Sequence, residues 1–137
     1  MTRETNSSRL DHRELSLLLA RTANEKKAQD IRVIEVGDRI KITEFFVICS
    51  GHNSRQVLAI ADALKAVSKS HGRICKEGVE GYSEARWVLL DYRDIIVHIF
   101  LNEVRQHYDL EMLWGDCPQV QWHTDSREEI REEASTD

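Results

Sequence analysis

The sequence lacks any segment that would carry it into or across a membrane. No apolar run approaches the roughly 20 residues that a membrane-spanning helix needs. The first residues, Met1 to Leu15, include acidic side chains and no apolar core segment, which is unlike a secretory signal or a transit peptide. We therefore expect a protein that is neither inserted into a membrane nor directed elsewhere by its N-terminus.

Cysteine is scarce, and the cysteines form no metal-binding or redox pair. The three cysteines, Cys49, Cys75 and Cys117, are scattered, and no CxxC spacing occurs. An odd, scattered set of thiols is typical of a reducing compartment, where disulfides are rare. We predict a cytoplasmic protein with reduced cysteines, and we place Cys49 in the core because it lies within an apolar run.

A basic excess is also missing. Lysine and arginine number 19 against 24 aspartates and glutamates, which gives a formal net charge of −5. Proteins that hold RNA or DNA through phosphates usually carry a basic excess or a basic stripe. The charge balance therefore argues against direct, sequence-specific binding of nucleic acid. It favours a basic protein partner that is reached by electrostatic steering.

Catalytic signatures are absent as well. Spacing suggests no Ser-His-Asp or Cys-His set, and there is no Walker loop or Rossmann fingerprint. The stretch "CSGHNSRQV" does join an apolar run to a helical pattern, as in many phosphate sites of α/β proteins. Its glycine is single, however, no lysine stands at the head of the helix, and Asn53 and Gln56 have capping-box spacing. We predict a turn and a helix cap rather than a phosphate site, with no cofactor and no metal.

The remaining pattern predicts one α/β domain. Hydrophobic residues make up 41% of the chain, and there is a single proline, which favours a folded domain over disorder. The predicted elements are a helix over 10–28, strands over 31–36 and 39–50, a helix over 53–70, a short strand over 73–77, a strand pair within 86–100 and a helix over 102–114. We expect a mixed sheet of about five strands with helices packed on it, and a parallel crossover through the long helix.

The two ends of the chain differ from this middle part. Residues 1–9 are polar and are predicted to be disordered. Residues 119–137 are acidic and nearly free of large apolar side chains, so they are also predicted to be disordered. The folded domain is accordingly predicted to span residues 10–118.

The strand pair within 86–100 has two contrasting faces. If Tyr92-Arg93 forms a two-residue turn, Trp87 faces His98 across the hairpin. Because side chains alternate along a strand, one face is aliphatic and predicted to be core, with Val88, Leu90, Ile95, Val97 and Ile99. The other face carries Trp87, Leu89, Asp91, Asp94, Ile96 and His98. This second face is either an exposed protein-binding surface, since tryptophan is enriched in interfaces, or a surface that a helix covers.

The polar residues of this hairpin allow a chemical interpretation and a structural one. Asp91 and Asp94 can be read as a metal-binding or acid–base pair, but two carboxylates beside a turn are more often turn-capping residues. His98 has the chemistry of a metal ligand, yet no second histidine or cysteine stands at ligand spacing. We favour turn capping for the aspartates and a hydrogen-bonded or interface role for His98.

Several segments, taken together and in order, resemble one protein family. They run from Asp30 to Cys117 over roughly two thirds of the chain and read "DIRVIEV", "TEFFVICSGHNSRQVLAIADAL", "EG", "WVLLDYRDIIVHIF" and "RQHYDLEMLWGDC". This ordered set, above all "WVLLDYRDIIVH" followed by "YDLEMLW", is similar to the ribosomal silencing factor family, also called RsfS or Iojap.

The resemblance implies a non-enzymatic repressor of translation. Family members bind the large ribosomal subunit through its ribosomal protein number fourteen, and the bound factor blocks joining of the subunits under nutrient limitation. The resemblance also implies a fold related to nucleotidyltransferases and a homodimer when the protein is free. Two alternative functions stay open: a large-subunit assembly factor, since organellar relatives are linked to assembly, or a degenerate nucleotidyltransferase-like domain that binds nucleotide or RNA.

At matched positions the resemblance implies two groups of partner-binding residues. They are Trp87, Asp91, Asp94 and His98 in the hairpin, and Tyr108, Glu111, Leu113 and Trp114 after it. For Leu113 and Trp114, burial in the core is the alternative. One departure from the family is Arg93, where many relatives carry glycine. A tight turn there requires a positive φ, so the predicted turn and strand register depend on this residue.

Overall fold

The chain forms helices and strands in an order close to the predicted one. The structure, a computed structural model, describes residues 10–106 and 114–123. Its elements are α1 (His12–Glu25), β1 (Gln29–Glu35), β2 (Phe45–Gly51), α2 (Ser54–Ser70), β3 (Gly78–Glu80), β4 (Trp87–Asp91), β5 (Ile95–Leu101) and α3 (Asn102–Arg105). None of the described helices is long and apolar enough to cross a membrane.

The strands form one mixed sheet in the order β1-β2-β5-β4-β3. β2 and β5 run parallel, and every other neighbouring pair is antiparallel. It follows that β3 runs parallel to β2 with two strands between them, so α2 lies on the predicted parallel crossover. The predicted α/β domain with a mixed five-stranded sheet is confirmed.

Two predicted strands have different limits in the structure. The second strand starts at Phe45 rather than at residue 39, because residues 36–44 form a loop closed by a hydrogen bond between the N–H of Val36 and the carbonyl of Glu44. The short strand predicted over 73–77 is wrong, since β3 is Gly78–Glu80. Gly78 has a positive φ, and its N–H bonds to the carbonyl of Cys75, so the chain turns where extended backbone was predicted.

The tight turn between β4 and β5 lies one residue later than predicted. It consists of Arg93 and Asp94, since the N–H of Tyr92 bonds to the carbonyl of Ile95. Arg93 has a φ of 79°, a conformation that favours glycine. The side chain of Asp91 supports this turn by accepting the N–H of Arg93 at 2.8 Å. The departure from glycine at Arg93 therefore leaves the tight turn intact, and a local carboxylate stabilises it.

The later turn shifts the strand pairing by two residues. Trp87 pairs with Phe100 rather than with His98. Because side chains alternate with a period of two, the strand residues keep their predicted faces, and only Asp94 moves into the turn. The predicted core face is confirmed, because Val88, Leu90, Ile95, Val97 and Ile99 are all fully buried.

The described chain continues to pack on the sheet beyond residue 118, where the sequence predicts the domain to end. The N–H of Val120 bonds to the carbonyl of Val33 at 2.8 Å. The Nε1 atom of Trp122 donates to the carbonyl of Ile31 at 3.0 Å. This segment covers the outer edge of β1, so the folded part extends past the predicted limit. The disordered segments predicted over 1–9 and over the rest of the tail, 124–137, lie outside the described residues.

Gly81 and Gly72 share a positive φ but differ in the space around them, so alanine at each position distinguishes the cost of backbone strain from the cost of steric overlap. Gly81 and Gly72 have φ values of 78° and 77°. A Cβ at Gly81 would overlap the carbonyl oxygen of Trp87, whereas a Cβ at Gly72 would meet open space. We expect Gly81→Ala to lower the free energy of unfolding by about 3 kcal/mol or more, and Gly72→Ala by about 1 kcal/mol. Denaturant titration of both variants measures the difference, and equal losses would contradict it.

Candidate protein-binding site

The face of the sheet opposite α2 is lined by aromatic side chains. α2 packs on the aliphatic face, where Ser68 Oγ and Tyr92 Oη lie 2.8 Å apart. The opposite face receives the alternate residues of β2, β4 and β5. Its central members, which we call the aromatic face, are Phe46, Trp87, Leu89, Ile96, His98 and Phe100.

The rings of the aromatic face contact one another. Trp87 Nε1 donates a hydrogen bond to His98 Nδ1 at 3.2 Å. The ring of Phe46 meets His98 edge-on, with centroids 4.8 Å apart. Phe100 lies against Trp87, also with a centroid separation of 4.8 Å. These contacts come from three neighbouring strands, so the backbone of the sheet holds the rings in fixed relative positions.

His98 is held neutral at the centre of this face. Its exposed fraction is 7%, and burial lowers its pKa from 6.5 to about 4. Because an indole nitrogen is only a donor, the bond from Trp87 requires His98 Nδ1 to be the acceptor, so the ring proton sits on Nε2. This Nε2 atom has no hydrogen-bond partner among the described residues.

The aromatic face is neither fully open nor fully covered in the part of the chain that the structure describes. His98 and Phe100 are buried, whereas Trp87, Leu89 and Ile96 are half-buried. Burial alone does not decide between the two interpretations made from the sequence, so the protein-binding surface stays a prediction. The half-buried apolar side chains form a surface whose remaining exposed area a partner can cover.

Trp114 extends the aromatic face across its Phe46 side. Its ring meets Phe46 edge-on, with centroids 5.4 Å apart. The guanidinium of Arg39 lies 5.6 Å from the Trp114 ring centroid and also pairs with Asp116. Trp114 is half-buried, so it both packs on the sheet and keeps exposed area.

The aspartates of the hairpin lie apart from these rings. Asp91 accepts the N–H of Arg93, which is the turn-capping role that the sequence favours. Asp94 Oδ2 contacts His12 Nε2 at 3.0 Å, and Glu44 Oε1 contacts the other ring nitrogen of His12 at 2.9 Å. The structure therefore places Asp91 and Asp94 at the turn end of the hairpin and gives them different partners.

The contact around His12 is also the group of described residues that comes nearest to a metal site. Ligand atoms of His12, Glu44 and Asp94 lie within 4.8 Å of one another. Both imidazole nitrogens already face a carboxylate, which is the arrangement of an ion pair between α1 and the strand starts. Asp91 is not a member of this group.

The loop that follows β2 uses its polar groups within the protein. Ser50 Oγ contacts the buried guanidinium of Arg105 at 2.7 Å. Asn53 accepts the N–H of Gln56 at 2.9 Å, and the Gln56 side chain accepts the N–H of His52 at 2.6 Å. The predicted turn and helix cap are confirmed, although Gln56 returns its bond to His52 rather than to Asn53. A Cβ at Gly51 would lie 3.0 Å from Val57 Cγ2, which explains glycine at this position by packing.

A family model described as "Ribosomal silencing factor during starvation" matches residues 9–137. The chain belongs to the ribosomal silencing factor family. The identification made from the ordered segments is thus confirmed, and the family is named for a silencing factor rather than for an enzyme.

Individual relatives agree with this family membership. The curated "Ribosomal silencing factor RsfS" of Halalkalibacterium halodurans is 40% identical over 112 residues, which cover 82% of this chain and 95% of that protein. A crystal structure of a Chromobacterium violaceum protein has a TM-score of 0.74 and 31% identity, and the match covers 77% of this chain and 88% of that chain. The mouse "Mitochondrial assembly of ribosomal large subunit protein 1" is 32% identical over 101 residues, which cover 71% of this chain and 43% of that protein.

The site of this family member includes residues that the sequence did not single out. Phe46 was missed because β2 reads as a fully apolar strand, which hides the alternation of its faces. Phe100 lies two residues after His98 on the same strand, so the alternation of side chains predicts that both residues share a face. The predicted partner-binding residues Tyr108, Glu111 and Leu113 lie outside the described residues.

The neutral state of His98 predicts a pH dependence of stability. As the pH falls, the unfolded chain takes up a proton near pH 6.5, whereas the folded state resists it down to about pH 4. The stability contribution is therefore intact above about pH 6.5 and is lost as the pH falls toward 4, by about 3 kcal/mol in total. We expect His98→Phe to lack this loss.

Urea unfolding of wild type and His98→Phe from pH 7 to pH 4 measures this effect. The difference between the two proteins cancels the contributions of the carboxylates, which both share. Parallel stability curves over the whole range would contradict a buried neutral His98.

Proposed function

We propose that this silencing-factor family member binds the large ribosomal subunit through its ribosomal protein number fourteen and blocks joining of the subunits under nutrient limitation. The observation that carries the proposal is the half-buried Trp87 with Leu89 and Ile96 on a strand-held surface. Family membership supplies the ribosomal context. The proposed role needs no catalysis, because a bound domain acts by occupying space.

The aromatic face has the composition of an interface centre. Binding energy in protein interfaces concentrates in a few tryptophan, tyrosine and arginine side chains near the middle of the contact. Trp87 is already fixed by His98 and Phe100, so docking would cost little side-chain entropy. We therefore assign Trp87 as the main anchor, with His98 beneath it and Trp114 at the flank.

Charge has a supporting role in this proposal. The chain carries a net charge of −5, which suits a basic ribosomal protein and speeds encounter more than it raises affinity. Asp91 and Asp94 would act at the edge of the contact, where they keep their turn and ion-pair bonds. Tyr108, Glu111 and Leu113 complete the proposed set from the segment before Trp114.

The mechanism that follows is occlusion. The rings project from the central strands of one sheet, and helices cover the other face, so the domain docks as a rigid body. Once seated, it would occupy space that the small subunit needs. We place this action in the cytoplasm, and in the free protein we expect the same apolar face to be buried against a second copy.

A second candidate function is assembly of the large subunit. The mouse relative that carries this function in its name favours it. The same surface would serve both roles: during maturation of the large subunit in assembly, and on the finished subunit in blocking of subunit joining. Nucleotide binding at the loop after β2 is not favoured, because Ser50 and Gln56 already bond to protein groups.

The anchor role of Trp87 is testable by sedimentation with purified large subunits. We expect Trp87→Ala to weaken binding by about 30-fold, which corresponds to about 2 kcal/mol for a central anchor. Tyr82→Ala is the matched control, since Tyr82 is a half-buried aromatic residue whose hydroxyl bonds to Asp62 of α2. Equal binding by Trp87→Ala, with an unchanged melting temperature, would rule out the anchor.

Blocking of subunit joining needs its own measurement. We expect the wild-type protein, added in excess to separated subunits, to reduce the amount of joined ribosomes in light scattering or sucrose gradients. Trp87→Ala should need an about 30-fold higher concentration for the same effect, because it binds the subunit more weakly by that factor. Binding without any effect on joining would favour the assembly role.

A further inference from the structure

The aromatic face contains a buried polar atom that the described fold leaves unsatisfied. His98 Nε2 is shielded from solvent and has no hydrogen-bond partner among the described residues. A buried donor without an acceptor normally destabilises a fold, and such groups are rare in native proteins. Replacing the ring by an apolar side chain of similar size would remove this penalty. The Nε2–H donor of His98 therefore needs an explanation other than the stability of the fold.

The neighbouring groups determine which form of the ring is present. Trp87 Nε1 donates a hydrogen bond to His98 Nδ1, so Nδ1 carries no proton and the ring proton of His98 is on Nε2. Among the described residues, the ring also contacts Phe46 and Phe100, whose side chains offer no acceptor. The Nε2–H group is thus a fixed donor within an apolar setting.

We infer that His98 Nε2–H donates a hydrogen bond to the docked protein partner and is a specificity-determining residue of the aromatic face. The inference rests on the proposed function, because the partner is the large-subunit protein that covers this face. Because Nε2 is shielded in the free protein, the bond requires small side-chain shifts on docking, and such shifts are common when interfaces form. The bond would form in a desolvated site, where an unmatched donor strongly disfavours a partner that lacks an acceptor.

The surroundings also define the chemistry of the acceptor. A carboxylate would lose its hydration among aromatic rings, and neutral His98 offers no compensating charge. A main-chain carbonyl, an amide oxygen or a hydroxyl avoids this penalty. The partner is therefore expected to present a neutral oxygen next to the apolar side chains that cover Trp87 and Ile96.

Two substitutions separate the donor from the shape of the side chain. His98→Phe keeps a ring of similar size and removes the donor, whereas His98→Gln places an amide N–H near the position of Nε2. We expect His98→Phe to bind purified large subunits at least about ten-fold more weakly than wild type. This variant also takes the acceptor from Trp87 Nε1, so its melting temperature at pH 7 is measured alongside. His98→Gln should bind more tightly than His98→Phe.

Binding of the full-length variants to large subunits distinguishes the possible failures. If the wild-type protein does not bind at all, the proposed function fails. If wild type binds and His98→Phe binds equally well, the hydrogen bond is overturned while the docking surface stands. Equal weakening by both substitutions would show that ring shape, not donation, is what matters, and would also overturn the inference.

Nitrogen NMR of histidine-labelled protein gives a second readout that does not depend on the ribosome. We expect the free protein to show His98 protonated at Nε2 and unprotonated at Nδ1 at pH 7. Trp87→Phe, which removes the indole donor, should loosen this preference. A ring protonated at Nδ1 in the wild-type protein would overturn the inference, whatever the binding result.

Discussion

The parallel pairing of β2 with β5 is the constraint on which the rest of the structure depends. All seven residues of β2 are buried, and β5 is buried except at its second position. Such strands need cover on both faces of the sheet, because neither face presents a polar surface. α2 supplies the cover on one side. On the other side, within residues 10–106 and 114–123, Trp87, Leu89 and Ile96 are only half-buried.

The two faces of this pair follow different physical rules. On the aliphatic face every predicted core residue is fully buried, so shape and apolar area determine its composition. On the aromatic face a histidine lies among three large rings, and one of its nitrogens has no hydrogen-bond partner in the described part of the chain. Local disagreement with the rules of packing is a common feature of functional surfaces, whereas a core designed only for stability would avoid it.

The loop after β2 resembles a phosphate-binding turn in its local structure, but its polar side chains bond to other groups of the protein. The strand, glycine and helix start are those of a phosphate-binding turn. In this chain the guanidinium of Arg105 donates a hydrogen bond to the hydroxyl of Ser50. The side-chain amide of Gln56, in the first turn of α2, donates to the carbonyls of Lys26 and Lys27 in the turn after α1. The polar groups therefore fasten α1, α2 and α3 around the end of β2.

The sequence by itself determined the type and order of the elements, the N-terminal cap of α2, and the face of each hairpin residue except Asp94. These features depend on short periods and local hydrogen bonds, which neighbouring residues specify. It misplaced the hairpin turn by one residue because a positive φ at Arg93 depends on support from Asp91 and Glu77. The predicted faces of the strand residues are still correct, because the register shifted by two residues and side chains alternate with the same period.

Only the tertiary structure decided which residues meet on the aromatic face. Phe46 and His98 are far apart in the chain and touch because β2 and β5 are neighbours in the sheet. The tautomer of His98 follows from its contact with Trp87 across the neighbouring β4–β5 pair, and the lowered pKa of His98 follows from its burial. Contacts between distant strands are a property of the sheet order, which residue spacing along one chain does not encode.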